Sequence, residues 1–270
     1  VSLLCWAMPR VRPETALRAM RCCLASLLLA GVVLLVLPSW AAAQGADVLR
    51  LVTEHQPPYV VVTSGGAVEG TVTDIVRKVL QQMGVAFTIK PYPWKRAQAM
   101  TLSGHADGFF AASQSERRDI SLVLSTPLAA QRWTWALPKD SSFEPGTAAF
   151  MAEARVSAFK GSNMQAWLES GGFRVSPVPP DDYEALISFL DAGRIDAALG
   201  GHLGIREELS RRGLLGRYRL VPYVDKPVGV YFSKAYLEAH PGFLDRFNET
   251  ACSLLAREGV DPSGCDGTDP

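Results

Sequence analysis

The chain has 270 residues, 48% of them hydrophobic and 20% charged, with 27 basic and 27 acidic side chains. That composition excludes an intrinsically disordered chain, and the lack of a basic excess excludes the electrostatic footprint of a nucleic-acid binder. The balance is uneven: residues 1–43 hold Arg10, Arg12, Arg18 and Arg21 against Glu14 alone, so the remainder is acidic by about three charges.

Residues 1–43 read as an export signal that is removed. Arg21 precedes the apolar run from Leu24 to Leu37, followed by Pro38, Ser39 and Ala41-Ala42-Ala43. A positive start, a short apolar core and an A-x-A site are the parts of a secretory signal. The run is shorter than the ~20 residues of a membrane-spanning helix. Cleavage after Ala43 places the rest in the periplasm. Cys5, Cys22 and Cys23 leave with the signal, while Cys252 and Cys265 remain. An even pair in an oxidising compartment predicts one disulfide clamping the carboxyl tail. Neither cysteine has His or Cys neighbours at metal-ligand spacing, and no metal or other cofactor is expected.

From residue 48 onward, short β-rich runs alternate with helical ones. Val48–Val52 reads as a strand, leading into the loop Glu54-His55-Gln56-Pro57-Pro58-Tyr59. Helical spacing links Val72, Ile75, Val76, Val79, Leu80 and Met83 and closes at Gly84. A strand follows at Phe87–Lys90, a helix at Trp94–Leu102 ended by Gly104, and a strand at Ala106–Ala111. Further on, Val156–Phe159 is a strand, Lys160-Gly161 a turn, and Ser162 or Asn163 the N-cap of a helix through Met164 and Leu168. A strand at Phe173–Val178 precedes a helix through Tyr183, Leu186, Ile187 and Leu190, ended by Gly193. Ile195–Leu199 is a buried strand, Leu203–Leu209 a helix, Val228–Phe232 a late strand and Phe243–Leu255 the last helix. Strands alternating with helices predict an α/β fold with mostly parallel strands.

No nucleophile or metalloprotease motif is present, and Gly65-Gly66 lacks the spacing of a phosphate loop. His55, His105, His202 and His240 are scattered, and the acid pairs Asp181-Asp182 and Glu207-Glu208 suit solvated caps and faces. Binding chemistry is better represented. Tyr59 sits on a rigid Pro-Pro loop after the first strand, where α/β ligand sites gather. Trp94 follows the Tyr92-Pro93 turn; both aromatics equally suit a core. Arg117 and Arg118 offer guanidinium forks that match a carboxylate, or a solvated helix start.

Taken in order, these pieces resemble the family 3 extracellular solute-binding proteins, from about Asp47 to Gly259. The elements that carry it are the strand and Pro-Pro-Tyr opening, Gly70 and Asp74, and Tyr92-Pro-Trp-Lys-Arg-Ala97. Gly104-His-Ala-Asp-Gly108, Ser115-Glu-Arg-Arg118 and Ser125-Thr-Pro127 follow. Lys160-Gly161-Ser162 and Ala192-Gly-Arg-Ile-Asp-Ala-Ala-Leu199 complete the set. The resemblance implies a two-lobed periplasmic-binding-protein-like fold (type II), each lobe a mostly parallel sheet flanked by helices, joined by two hinge crossovers. Lobe one spans residues 44–130 and is completed by 222–270; lobe two spans 131–221. A ligand sits between the lobes, and closure is a hinge motion.

The same resemblance implies site residues. Arg118 lies seven positions before Ser125, the spacing of the arginine that grips a ligand carboxylate, with Arg117 the competing candidate. Tyr59 and Trp94 match aromatics that pack on the ligand, Ser113 a polar strand end, and Ser162 and Asn163 a helix start whose amides meet an anion. One position departs: amino acid binders carry an Asp where this chain has Gly201, beside His202. A buried ammonium without a counter-charge is costly, so an amino acid ligand would need another acid, such as Glu54. The expected protein is a monomeric, non-enzymatic binder of a small polar, carboxylate-bearing solute that serves an ABC transporter permease. A receptor-coupled sensor and a dehydratase-like enzyme are the alternatives.

Overall fold

A computed structural model describes residues 48–259 and Cys265. The expected export signal lies outside the described residues. Among the described residues no helix is long and apolar enough to cross a membrane.

The first half opens with β1 (Leu49–Thr53), a short hairpin of β2 (Val61–Val62) and β3 (Val68–Glu69), and α1 (Thr71–Gln82). It continues with β4 (Phe87–Pro91), α2 (Trp94–Leu102), β5 (Gly108–Ser113), α3 (Glu116–Asp119) and β6 (Leu122–Leu124). The second half holds β7 (Arg132–Pro138), α4 (Ala148–Glu153), β8 (Arg155–Ser157), α5 (Asn163–Ser170) and β9 (Arg174–Val175). Then come α6 (Tyr183–Asp191), β10 (Ala197–Gly201), α7 (His202–Arg211) and β11 (Tyr218–Asp225). The chain returns through β12 (Val228–Ser233), α8 (Lys234–Ala239) and α9 (Phe243–Arg257).

Two five-stranded sheets result, ordered β4-β1-β5-β12-β6 and β11-β7-β10-β8-β9. The α/β class and the expectation of mostly parallel sheets both hold: in each sheet four of the five strands run in one direction and a single strand, β12 or β7, runs against them. In the first, β1 pairs parallel with β4 and β5, whereas β12 pairs antiparallel with β5 and β6. In the second, β8 is parallel to β9 and β10, whereas β7 is antiparallel to β10 and β11. The reason is the entry route: β7 and β12 come straight from the other sheet, with no crossover helix to turn them round. Strand β7 escaped the sequence reading although its burial is nearly complete. Trp133, Trp135 and Leu137 alternate with Thr134 and Ala136, so both faces are covered and no polar face marks the period. The strand expected at Phe173–Val178 contracts to the two residues of β9 at the sheet edge.

The same device fixes the start of a strand in each sheet. Asp107 and Asp196 each stand three residues after a left-handed glycine, Gly104 and Gly193 (φ 75° and 64°). Asp107 accepts from the backbone and guanidinium of Arg50, with Nη2 at 2.6 Å; Asp196 does the same for Arg155, at 2.7 Å. Helix α1 begins on the Pro-Pro-Tyr loop: Thr71 and Val72 donate to the carbonyls of Pro58 and Tyr59 at 3.1 Å each. Gly70 permits this approach, since a Cβ there would lie 2.6 Å from the Tyr59 carbonyl oxygen.

Two crossovers run side by side between the sheets. Lys226 and Val228 donate to the carbonyls of Gln131 (2.8 Å) and Ala129 (2.9 Å), and the Tyr59 hydroxyl donates to Ala130 O at 2.7 Å. Helix α9 anchors the first crossover through Asn248 Oδ1, which accepts from Thr126 N at 2.9 Å. The structure contains the Cys252–Cys265 disulfide, 13 residues apart. Replacing both cysteines with serine releases that loop and is expected to lower stability by about 2–3 kcal/mol, read as a lower urea midpoint. An unchanged midpoint would show that the tail adds nothing to the fold.

Candidate functional site

A cavity of about 940 Å³ opens between the two sheets. The first lobe lines it with Glu54, His55, Tyr92, Trp94 and Lys95, and the second with Lys160, Asp182, Tyr183, Glu207 and Arg211. Glu54 and Lys160 follow the carboxyl ends of β1 and β8, and Gly204 lies on the helix that follows β10, so the cavity sits where open α/β sheets collect ligands.

Glu54 is placed by its own helix contact. Its Oε2 accepts from the Trp94 amide at 3.1 Å, at the first turn of α2, where Pro93 precedes the helix and offers no side-chain cap. Burial pushes its pKa up to about 8, despite that hydrogen bond; Asp182 adds to the rise and Arg118 opposes it. Among the cavity's other charged residues, Lys95, Lys160, Asp181, Asp182, Glu184, Glu207 and Arg211 are exposed. Glu208 is shielded but gripped by Arg211 at 2.7 Å and Arg212 at 2.5 Å. Among the described residues Glu54 has no ion-pair partner.

Tyr183 forms the facing wall. Its hydroxyl accepts from Gly201 N at 2.8 Å, and its ring packs on Phe159 with centroids 5.2 Å apart. Three glycines make room for it. A Cβ at Gly200 or Gly204 would lie 2.8 Å from the ring, and one at Gly201 would lie 3.1 Å from the hydroxyl and 3.3 Å from Gln131 Nε2. The missing carboxylate at position 201 is therefore not a vacancy: the tyrosine occupies its space.

The arginine pair resolves geometrically. Arg117 is exposed; Arg118 is buried, donating from Nη1 to Ser113 O at 3.0 Å and from Nε to Gln98 Oε1 at 3.1 Å. Its guanidinium packs over Trp94, Phe109 and Tyr231, and burial pushes its pKa down to about 10. It does not line the cavity. Asn163 reaches the same strand end from the other lobe, donating to Ser113 O (2.9 Å), Ser113 Oγ (3.1 Å) and Gln114 O (3.0 Å). Gln98 Nε2 donates to Gly161 O at 3.2 Å, so the lobes touch beside the cavity.

Of the nine ligand-site residues expected from sequence, Trp94 alone lines the cavity. Ser113, Arg118 and Asn163 come together as an interlobe contact instead. Ser162 is spent as the N-cap of α5, accepting from Gln165 N at 3.0 Å. Tyr59 is a core residue bonded to the crossover. His202 lies 3.4 Å from Thr134 Oγ1, outside the cavity. Sequence reasoning missed Tyr92, Lys95, Lys160 and Tyr183. The signal for Tyr183 was the glycine spacing at 200, 201 and 204, which leaves a slot the width of a ring. Among the described residues no group of three or more His, Cys, Asp or Glu is placed to hold a metal ion.

The architecture is a two-lobed α/β fold of the kind found in type II periplasmic binding proteins, with a cavity between its two sheets. Residues 49–156 match the model of the bacterial extracellular solute-binding proteins, family 3, bearing out the resemblance carried by the sequence motifs. That family is one of binding proteins. Among solved structures, a histidine kinase sensor domain with similarity to periplasmic binding proteins superposes with a TM-score of 0.67 at 19% identity, covering 81% of this chain and 94% of its own. A histidine-bound ABC uptake transporter substrate-binding protein from Streptococcus pneumoniae gives 0.65 at 18%, covering 78% and 87%. The holo arginine-binding protein ArgBP from T. maritima gives 0.63 at 18%, covering 77% and 89%. At these identities the likeness concerns the fold. No curated protein sequence matches.

The shielded carboxyl of Glu54 makes stability depend on pH. Its folded-state pKa of about 8 lies above the ordinary 4.5, so the unfolded chain loses this proton first and ionisation opposes folding across that window. Glu54→Gln cannot ionise. It is expected to melt with the parent near pH 4.5 and several degrees above it at pH 8.5, in parallel thermal scans. Equal melting temperatures at both pH values would show that Glu54 is fully solvated.

Proposed function

We propose that this protein captures a small polar solute, an amino acid or related organic acid, in the interlobe cavity and delivers it to an ABC transporter permease. The carrying observation is the cavity itself, lined from both lobes at the ends of parallel strands. Membership of the matched segment in an extracellular solute-binding family supports a periplasmic location, and export would follow from the signal read in residues 1–43. The protein acts as a monomer and without a cofactor. The solute packs against Trp94, Tyr92 and Tyr183. Its carboxylate meets Lys95 from one lobe and Lys160 from the other, while Asn163, Ser113 and Arg118 form the contact that completes closure.

The sensor-domain neighbour favours a second reading, in which the closed form is presented to a membrane receptor. An enzymatic reading asks for an acid of raised pKa opposite Arg118. Glu54 supplies the acid, but Arg118 lies outside the cavity, so a substrate carboxylate has no seat between them.

The test is thermal unfolding against a broad panel of amino acids, dicarboxylates, amines and aromatic acids. A solute at 100 times its dissociation constant adds about 2.7 kcal/mol, and one chemical class is expected to give a saturable shift. The transport reading further expects the loaded protein to stimulate uptake by its permease in vesicles. A flat response across the panel contradicts both.

A further inference from the structure

The carboxyl tail meets the hinge at one residue. Helix α9 is fixed to the first lobe: Phe247, Ala251, Leu254 and Leu255 are buried in its core, and Lys78 and Gln82 of α1 hold Glu258 and Arg257. Asn248 and Cys252 stand four residues apart on α9 and so share one face. That face covers Thr126, where the first crossover leaves the lobe. Asn248 Oδ1 accepts from the Thr126 amide at 2.9 Å, and the Thr126 hydroxyl lies 3.8 Å from the sulfur of Cys252 and 3.8 Å from that of Cys265. The disulfide rests on the crossover as well as closing the tail onto α9.

Thr126 passes this contact to the second crossover. Ser125 Oγ donates to Thr126 O at 2.8 Å and accepts from Val230 N at 3.0 Å, while Ser125 N donates to Val230 O at 2.8 Å. Gly229 lies against the pair: a Cβ there would sit 2.8 Å from Ser125 Oγ and 3.0 Å from Thr126 O. The pairing of β12 with β5 slips its register at this point, between Gly229 and Val230. Ser125 and Thr126 are buried, whereas both cysteines are only half-buried, which leaves the bond open to a thiolate.

We propose that the Cys252–Cys265 disulfide is a redox-sensitive stop on the hinge: oxidised, it braces Thr126 and with it both crossovers, and reduced, it lets them flex. The chemistry is exchange with a dithiol. One thiolate of the dithiol attacks a sulfur of the pair, forming a mixed disulfide and releasing the other cysteine as its thiolate. The second thiolate of the dithiol then displaces the remaining cysteine, and the reagent leaves as a cyclic disulfide. Two electrons pass to the protein, whose sulfurs take up two protons as thiols, and the dithiol is oxidised. Flexing reaches the cleft, because the contacts of Asn163 with Ser113 and of Gln98 with Gly161 need the crossovers to hold the lobes in register. The device acts on closure itself, whichever solute the cavity takes.

Hydrogen–deuterium exchange at short labelling times, on the folded protein before and after reduction with dithiothreitol, tests this. Reduction is expected to speed exchange about tenfold in residues 125–131 and 226–230, a loss of about 1.4 kcal/mol of local stability. Residues 113–115 and 161–163, at the interlobe contact, are expected to quicken as well, while strands β1 and β10 stay unchanged. In Thr126→Ala, which keeps the disulfide, the crossovers are expected to exchange fast from the start and to ignore dithiothreitol. Crossovers or interlobe contacts that do not respond to reduction overturn the proposal and leave the bond a clasp for the tail. Uniform quickening of both lobes overturns it too, since that is a loss of global stability. So do an undiminished response in Thr126→Ala and a disulfide that stays intact in the folded protein under excess dithiothreitol.

Discussion

The paired crossovers constrain everything else in this molecule. Residues 129–131 and 226–228 hydrogen-bond to one another between the sheets, so each sheet receives one strand from the other lobe. Those entering strands, β7 and β12, are antiparallel to their neighbours β10 and β5. The parallel strands β1, β5, β8 and β10 lead into the loops and helices that meet between the lobes. Glu54, Ser113, Lys160 and Gly201 all stand at or just beyond such strand ends. The cleft is a consequence of connectivity before it is a matter of side chains. Tyr59 adds a pin, tying the first loop to the crossover at Ala130.

That connectivity also explains which parts were legible in the sequence. Helices α1 and α2 were readable because a one-sided apolar stripe and a terminal glycine are local signals. The Gly104–Asp107 and Gly193–Asp196 pairs were readable as motifs, and the structure gives their reason: each aspartate holds the arginine of the neighbouring strand. The antiparallel pairings of β7 and β12 were not readable, because β7 pairs with β10 and β11 and β12 with β5 and β6, partners far away along the chain. No local periodicity encodes that.

The binding site was legible in its region but not in its members. The sequence pointed to the loop after β1, the Trp94 turn and the start of α5; the cavity is lined by the first two and by Lys160, ahead of α5, but not by the helix start itself. It assigned the charge to Arg118, whereas the structure commits that guanidinium to Ser113, Gln98 and three aromatic faces. It read Gly201 as an absence, whereas a tyrosine 18 residues earlier in the chain fills the position. Both differences have one cause. Spacing along a chain reports which strand end a residue occupies, while side-chain commitment depends on partners from distant elements. The outcome is a cleft whose sheltered charge is negative and whose positive groups stand at the rim.

Hydrogen–deuterium exchange with and without a saturating solute addresses the central claim, that one solute is enclosed by both lobes. Closure predicts slowed exchange on the two walls at once: residues 54–55 and 92–95 in the first lobe, and 160–163 and 181–184 in the second. Protection confined to one lobe, or falling away from both walls while the solute is demonstrably bound, would contradict it and move the binding site elsewhere on the molecule.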